Sequence, residues 1–154
     1  MRKILFLLII LIFGGVYYIS GENIRFMDIL TSYSSKELSQ SSIALYEFYI
    51  RKTLHIISYF SITLLLFLFL YSFKGFVRKA GIFLAPLTTL ALAVFDEKRQ
   101  GEIPGRIGIL ADVFIDGMGI LLAVVVIGFV LMVKVLGEEK TEENEEGKNE
   151  GELN

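Results

Sequence analysis

Four apolar runs separated by polar links constrain the fold of this chain more than any other feature. They cover residues 4–19, 53–73, 80–95 and 107–135. An α-helix rises 1.5 Å per residue, so about 20 residues cross a hydrocarbon core. The third run is short for a span unless neighbouring helices hold it or its helix extends beyond Asp96. The pattern predicts an all-α, polytopic membrane protein with four transmembrane helices in one domain, residues 1–136.

The composition agrees with a membrane protein and excludes several kinds of site. The chain is 54% hydrophobic, with a mean hydropathy of +0.62, which is high for a soluble domain of 154 residues. It contains no cysteine, so disulfides and thiolate metal sites are excluded. It contains one histidine, so a multi-histidine metal site within one chain is also excluded.

The net charge of −2 hides two segments of opposite sign. Residues 137–154 hold eight Glu and two Lys, so this tail alone carries −6 and the rest of the chain carries +4. The tail is too charged and too poor in apolar residues to fold alone, so we predict an acidic disordered tail at 137–154. The basic membrane domain suits an anionic lipid surface or substrate and does not favour nucleic acid.

Basic residues near the runs predict the topology. The first turn of the chain and the short second link are basic, and such residues favour the cytoplasm. They are Arg2, Lys3, Lys74, Arg78 and Lys79. We therefore predict a multi-pass protein of the cell membrane. Both termini lie on the cytoplasmic side, and links 20–51 and 96–109 lie outside. The first run lacks a small-x-small cleavage site, which favours an uncleaved helix over a signal peptide. For the first link, an interfacial helix and a solvated connector with a long start to the second helix both remain open.

Polar residues in three segments are predicted to meet near the outer surface. Spacings of three and four residues put several of them on common helix faces, and short connections favour packing of helices two to four. The second helix supplies Lys52, His55 and Tyr59, the third link supplies Asp96, Glu97, Gln100 and Arg106, and the fourth helix supplies Asp112 and Asp116. Gly117 and Gly119 are predicted to let another helix backbone approach.

Each of these residues also has a simpler interpretation. Lys52 suits a snorkelling interfacial lysine, His55 an interhelical hydrogen bond and Tyr59 core packing. The charges of residues 96–99 suit a solvated loop. Asp112 and Asp116 lie inside an apolar run, where a charge costs at least about 2.5 kcal/mol. They are either structural partners of Arg106 and Lys52 or part of a site that handles a substrate or ion.

The order of these polar residues resembles the VanZ-like membrane proteins. The resemblance covers roughly residues 51–133. It rests on Arg51-Lys52-x-x-His55-x-x-x-Tyr59, Asp96-Glu97-x-x-Gln100-x-x-x-Pro104-Gly105-Arg106 and Asp112-x-x-x-Asp116-x-x-Gly119. The family usually has Asn at the position of Asp116. The resemblance implies a cell-envelope setting and an association with low-level teicoplanin resistance, without specifying a reaction.

Three functional hypotheses follow. In the first, the protein handles an anionic lipid or lipid-linked cell-wall intermediate at the outer leaflet. Lys52 and Arg106 would hold its phosphate or carboxylate, and Gln100 and Tyr59 would orient polar groups. Asp96 and Asp116 complete the predicted binding set.

In the second hypothesis the same residues form a membrane-embedded enzyme. His55 or Glu97 would be the general acid or base, and Asp112 belongs to the same catalytic set. Asp112 and Asp116 would tune that acid or base or hold a divalent cation. In the third, a structural or partner-binding protein uses the charges as ion pairs. The sequence specifies no cofactor or metal; membrane lipids are the expected partners, and a homo-oligomer is compatible with it.

Overall fold

Four helices make up nearly all of the described chain. The computed structural model describes residues 2–21, 40–102 and 110–152. Within them α1 covers Arg2–Gly21, α2 Gln40–Tyr71, α3 Phe76–Gly101 and α4 Leu110–Glu152, and this described part contains no strand. The predicted all-α class is confirmed. Within the described residues, three segments are long and apolar enough to cross a membrane: Ser41–Tyr71, Phe76–Gly101 and Ala111–Glu139.

The second helix is the centre of the bundle. α2 packs against all three other helices, α3 and α4 also pack against each other, and α1 lies mainly on α2. A tight turn at residues 72–75 reverses the chain between α2 and α3. Gly75 takes φ +66° in this turn, a conformation that favours glycine. The turn makes α2 and α3 antiparallel neighbours.

The buried face of α3 changes character along its length. Small residues recur every four positions at Gly81, Ala85, Thr89 and Ala93. A Cβ at Gly81 would lie 3.0 Å from the Leu70 Cβ atom, so the glycine allows α2 to approach closely. After Ala93 the buried positions become polar, with Asp96, Glu97 and Gln100. A small-residue seam therefore leads directly into a charged end.

The close approach of α2 and α4 depends on one glycine. A Cβ at Gly119 would lie 2.4 Å from the Ile56 carbonyl oxygen and 3.1 Å from the Phe60 nitrogen. The predicted backbone approach is thus confirmed at Gly119. At Gly117 that expectation is wrong for the described part of the chain, because no atom there lies within 4 Å of a Cβ at this position. The two glycines differ because only Gly119 faces α2.

Two helices extend beyond their apolar runs. α3 continues to Gly101, so the charged residues that the sequence assigned to a link form its last turns. Glu, Lys, Arg and Gln are good helix formers, which explains the extension where hydropathy ends. α2 begins at Gln40, as expected for a long start to the second helix. Residues 22–39 lie outside the described part.

The fourth helix also runs through most of the acidic tail. α4 extends to Glu152, and Lys134 pairs with Glu138 at 3.5 Å, one turn apart. The structure differs here from the disordered tail predicted at 137–154. A helix that is already nucleated gains a hydrogen bond for each residue added, and Glu and Lys propagate it well. The domain boundary at residue 136 stays a prediction.

Candidate functional site

The predicted polar residues meet between α2, α3 and α4, at the end of the bundle away from the Ser72–Gly75 turn. All of them except Arg106 lie in the described part of the chain, and Arg106 lies outside it. Arg99 joins them. The resulting polar cluster consists of Lys52, His55, Tyr59, Asp96, Glu97, Arg99, Gln100, Asp112 and Asp116.

Two polar contacts join α2 to α4. The Lys52 ammonium pairs with the Asp112 carboxylate. One helical turn further along, His55 Nδ1 lies 2.9 Å from Asp116 Oδ1. Both contacts advance in the same direction along the two helices, so α2 and α4 run parallel here. Lys52 was one predicted partner of the two aspartates, whereas the contact of His55 with Asp116 was not predicted.

Burial increases from the first contact to the second. The side chains of Lys52 and Asp112 are 21% and 27% exposed to solvent, whereas the side chain of Asp116 is 2% exposed. Lys52 and Asp112 therefore form the rim of the cluster. The His55–Asp116 pair lies deeper, with the His55 side chain 19% exposed. A molecule outside the cluster can therefore reach Lys52 and Asp112 directly. It must enter the cluster to reach Asp116.

The contact with Asp116 orients the His55 ring. A carboxylate accepts hydrogen bonds, so the contact selects the tautomer in which His55 Nδ1–H donates to Asp116 Oδ1. The other ring nitrogen, Nε2, then carries a lone pair, and no described residue bonds to it. This arrangement is the one used where a carboxylate orients a histidine base. His55 can thus exchange a proton at Nε2.

On α3, Asp96 is held by its own helix. Its Oδ1 accepts from Arg99 Nε at 3.2 Å and Nη2 at 2.8 Å, and its Oδ2 accepts from Gln100 Nε2 at 2.8 Å. Asp96 is 1% exposed, so this pairing offsets part of the cost of burying its charge. The predicted binding residues Asp96 and Gln100 therefore contact each other. Glu97 follows Asp96 and is also buried, at 6% exposure.

Arg99 is the functional candidate that the sequence analysis missed. Its guanidinium lies 4.1 Å from the centre of the Tyr17 ring and donates to the Tyr17 carbonyl oxygen at 3.2 Å. Arg99 thus connects Asp96 with α1. It was not singled out, because residues 96–109 were predicted to form a link between helices, with a solvated loop as the simpler interpretation of residues 96–99. The three-residue spacing from Asp96 would have indicated the pair once a helix was assumed.

Tyr59 closes the cluster on the side of the apolar core. Its side chain is fully buried and packs with Ala93 and Ile120. The hydroxyl has no hydrogen-bond partner among the described residues. A buried hydroxyl without a partner costs about 1–3 kcal/mol. A polar group of a bound molecule that reached this depth would remove that cost.

Carboxyl groups outnumber cations in the described cluster. The carboxyl groups are those of Asp96, Glu97, Asp112 and Asp116. The basic side chains are Lys52, Arg99 and, when protonated, His55. No group of three or more His, Cys, Asp or Glu side chains in the described residues is arranged to hold a metal ion. The carboxylates predicted to hold a divalent cation, Asp112 and Asp116, contact Lys52 and His55 separately.

Comparisons with protein-family models, curated proteins and solved structures give no match to this chain. The resemblance to the VanZ-like proteins therefore rests on the order and spacing of the polar residues alone.

Proposed function

We propose that this chain is a VanZ-like protein of the cell envelope, with four membrane spans and both termini in the cytoplasm. In this proposal its polar cluster handles an anionic lipid or lipid-linked cell-wall intermediate in the outer leaflet, and the protein contributes to teicoplanin resistance. The observation that carries the proposal is a polar cluster between otherwise apolar helices. It has an accessible cation at its rim and, at its base, a Tyr59 hydroxyl without a hydrogen-bond partner among the described residues.

The charges at the rim support binding of an anionic headgroup. In the resting protein Lys52 is neutralised by Asp112, and both side chains remain partly exposed. A phosphate accepts charge-assisted hydrogen bonds as a carboxylate does, and it can replace Asp112 as the partner of Lys52. The lipid chain would stay beside the apolar helices. Deeper polar atoms of the headgroup would then reach His55 and the Tyr59 hydroxyl.

Binding can be tested with two lipids that differ only in charge. The purified full chain is titrated in nanodiscs with a polyprenyl phosphate and with the corresponding neutral polyprenol. We expect the native chain to bind the polyprenyl phosphate more tightly than the polyprenol. Lys52→Ala should reduce this preference roughly fivefold or more, as for loss of a charge-assisted hydrogen bond. Lys79→Ala removes an exposed lysine at the opposite end and serves as the control. Equal binding of both lipids by the native chain would remove the proposal.

A second candidate function makes the cluster an enzyme. The His55–Asp116 contact favours it, because it leaves Nε2 as a base or, once protonated, an acid toward a bound headgroup. Expression of the protein should then change the mass spectrum of membrane lipids or cell-wall precursors. His55→Asn should abolish the change while phosphate-lipid binding persists. If the variant still produced the change, His55 would not be the catalyst.

The proposed topology can be tested with single cysteines, since the natural chain has none. Glu102→Cys lies at the end of α3 nearest the polar cluster, and Lys74→Cys lies in the turn at the other end; both positions are exposed. A membrane-impermeant maleimide should label Glu102→Cys in intact cells and Lys74→Cys only after permeabilisation. The reverse pattern would invert the orientation and place the cluster at the cytoplasmic face.

A further inference from the structure

A second group of cations surrounds Tyr71, at the opposite end of the bundle from the polar cluster. Arg78 Nη2 donates to the Tyr71 hydroxyl at 2.7 Å, and Lys134 Nζ donates to the same oxygen at 3.4 Å. The Arg78 guanidinium also lies 4.2 Å from the centre of the Tyr71 ring. Tyr71, Arg78 and Lys134 come from α2, α3 and α4 and are here named the Tyr71 cluster. It lies about 18 Å along α2 from Tyr59.

The charges of the Tyr71 cluster are incompletely neutralised. No carboxylate of the described residues forms an ion pair with Arg78. Lys134 pairs with Glu138 at 3.5 Å, but these side chains are 49% and 64% exposed, so water screens the pair. Arg78 and Lys134 share one uncharged oxygen and repel each other. An anion beside Tyr71 would relieve this repulsion.

The surroundings add basic and apolar surface at the same end. The Arg2 guanidinium lies 4.9 Å from the centre of the Phe73 ring, which brings the start of α1 to this end. Lys74 and Lys79 are exposed in and after the turn. Phe76 is 82% exposed at the start of α3. Basic groups beside an exposed aromatic are suited to the boundary between lipid headgroups and acyl chains.

We propose that the Tyr71 cluster binds the phosphate group of an anionic phospholipid in the leaflet at this end of the bundle. Arg78 offers a planar set of donors that matches phosphate oxygens, and Lys134 adds a point charge. The Tyr71 oxygen accepts from both cations, which leaves its own proton to donate to the phosphate. Phe76 contacts the acyl chains. This site is independent of the polar cluster and of its proposed function.

The experiment compares phospholipids that differ in headgroup charge. The purified full chain is incubated with equimolar phosphatidylglycerol and phosphatidylcholine of equal chain length, and native mass spectrometry gives the ratio of the bound lipids. We expect preference for phosphatidylglycerol. Arg78→Gln and Lys134→Gln should each lower that preference roughly fivefold or more, as for loss of a charge-assisted hydrogen bond to the phosphate. Tyr71→Phe keeps the ring beneath Arg78 and should lower the preference with little change in thermal stability.

Lys79→Gln is the matched control, because it removes the same charge from the same end without a contact to Tyr71. A loss as large as that of Arg78→Gln would assign the preference to diffuse surface charge and overturn the site. Unchanged preference in Arg78→Gln and Tyr71→Phe would also overturn it. Millimolar inorganic phosphate should not displace the lipid, and displacement would assign the site to a free anion.

Discussion

His55 and Asp116 face each other between two helices that are long and apolar enough to cross a membrane, with His55 Nδ1 2.9 Å from Asp116 Oδ1. The carboxylate is almost fully buried, and among the described residues the imidazole is its hydrogen-bond partner. The pair thus satisfies a polar group that would otherwise be costly inside the membrane. It also fixes the orientation of the one histidine in the chain.

The first prediction concerns Asp116. Asp116→Asn retains a carbonyl oxygen that can accept from His55 Nδ1–H, whereas Asp116→Ala removes the acceptor and leaves the imidazole donor unsatisfied. We expect Asp116→Ala to lower the free energy of unfolding by about 1–3 kcal/mol and Asp116→Asn by less than half as much. Denaturant unfolding in detergent measures both. Equal losses would mean that the hydrogen bond contributes nothing beyond packing.

The second prediction concerns the ion pair at the rim. Lys52→Asp and Asp112→Lys each place two like charges together, while the double variant restores opposite charges. We expect each single variant to be destabilised and the double variant to recover part of the loss, with a coupling free energy of about 0.5–3 kcal/mol. A double-mutant cycle on unfolding midpoints measures it. Additive losses would show that Lys52 and Asp112 do not depend on each other.

Much of the fold follows from hydropathy and helix periodicity. Each of the four described helices contains all or most of one apolar run, and the spacing of Lys52, His55 and Asp112 placed polar residues on the helix faces that meet. The pairing of His55 with Asp116 could not be predicted, because it depends on the axial register of α2 against α4. That register is set by the contact of Gly119 with Ile56, which links residues far apart in sequence.

The end of α3 shows why hydropathy also misleads. Charged residues follow the apolar run, so the sequence predicted that Asp96 and Arg99 lie in a link between helices, with a solvated loop as the simpler interpretation. In the structure they form a buried pair on a continuing helix. Hydropathy reports where a helix can contact lipid, not where it ends. Helix propensity and the three-residue spacing of Asp96 and Arg99 were the signals that applied there.

The third prediction uses the two neighbouring glycines of α4. A methyl group at Gly119 would overlap the Ile56 carbonyl, so Gly119→Ala should force α2 and α4 apart and cost about 1–3 kcal/mol or more. Gly117→Ala is the control, since a Cβ there meets no described atom within 4 Å. It should be neutral or stabilise the helix by up to about 1 kcal/mol. Similar behaviour of both variants in thermal unfolding would contradict the close approach at Gly119.

The fourth prediction concerns the attachment of α1. Arg99→Lys keeps the charge but loses the two-nitrogen contact with Asp96 and the planar contact with the Tyr17 ring. We expect a loss of about 1–3 kcal/mol and faster proteolysis or hydrogen exchange in α1. Lys98→Ala, at an exposed neighbouring position, should leave both unchanged. Unchanged exchange in α1 of Arg99→Lys would show that other contacts hold this helix.

The fifth prediction separates the stability of Tyr59 from its proposed function. The Tyr59 hydroxyl is buried without a partner among the described residues, so Tyr59→Phe removes an unsatisfied group and keeps the ring in its contacts. We expect the free energy of unfolding to stay constant or rise by about 1 kcal/mol, while binding of a polyprenyl phosphate weakens. Tyr49→Phe, at an exposed position of the same helix, should change neither. If Tyr59→Phe lost stability, the hydroxyl would have a structural partner in the resting protein. If it gained stability and kept full binding, the headgroup would not reach the base of the polar cluster, and Lys52 at the rim would have to account for recognition.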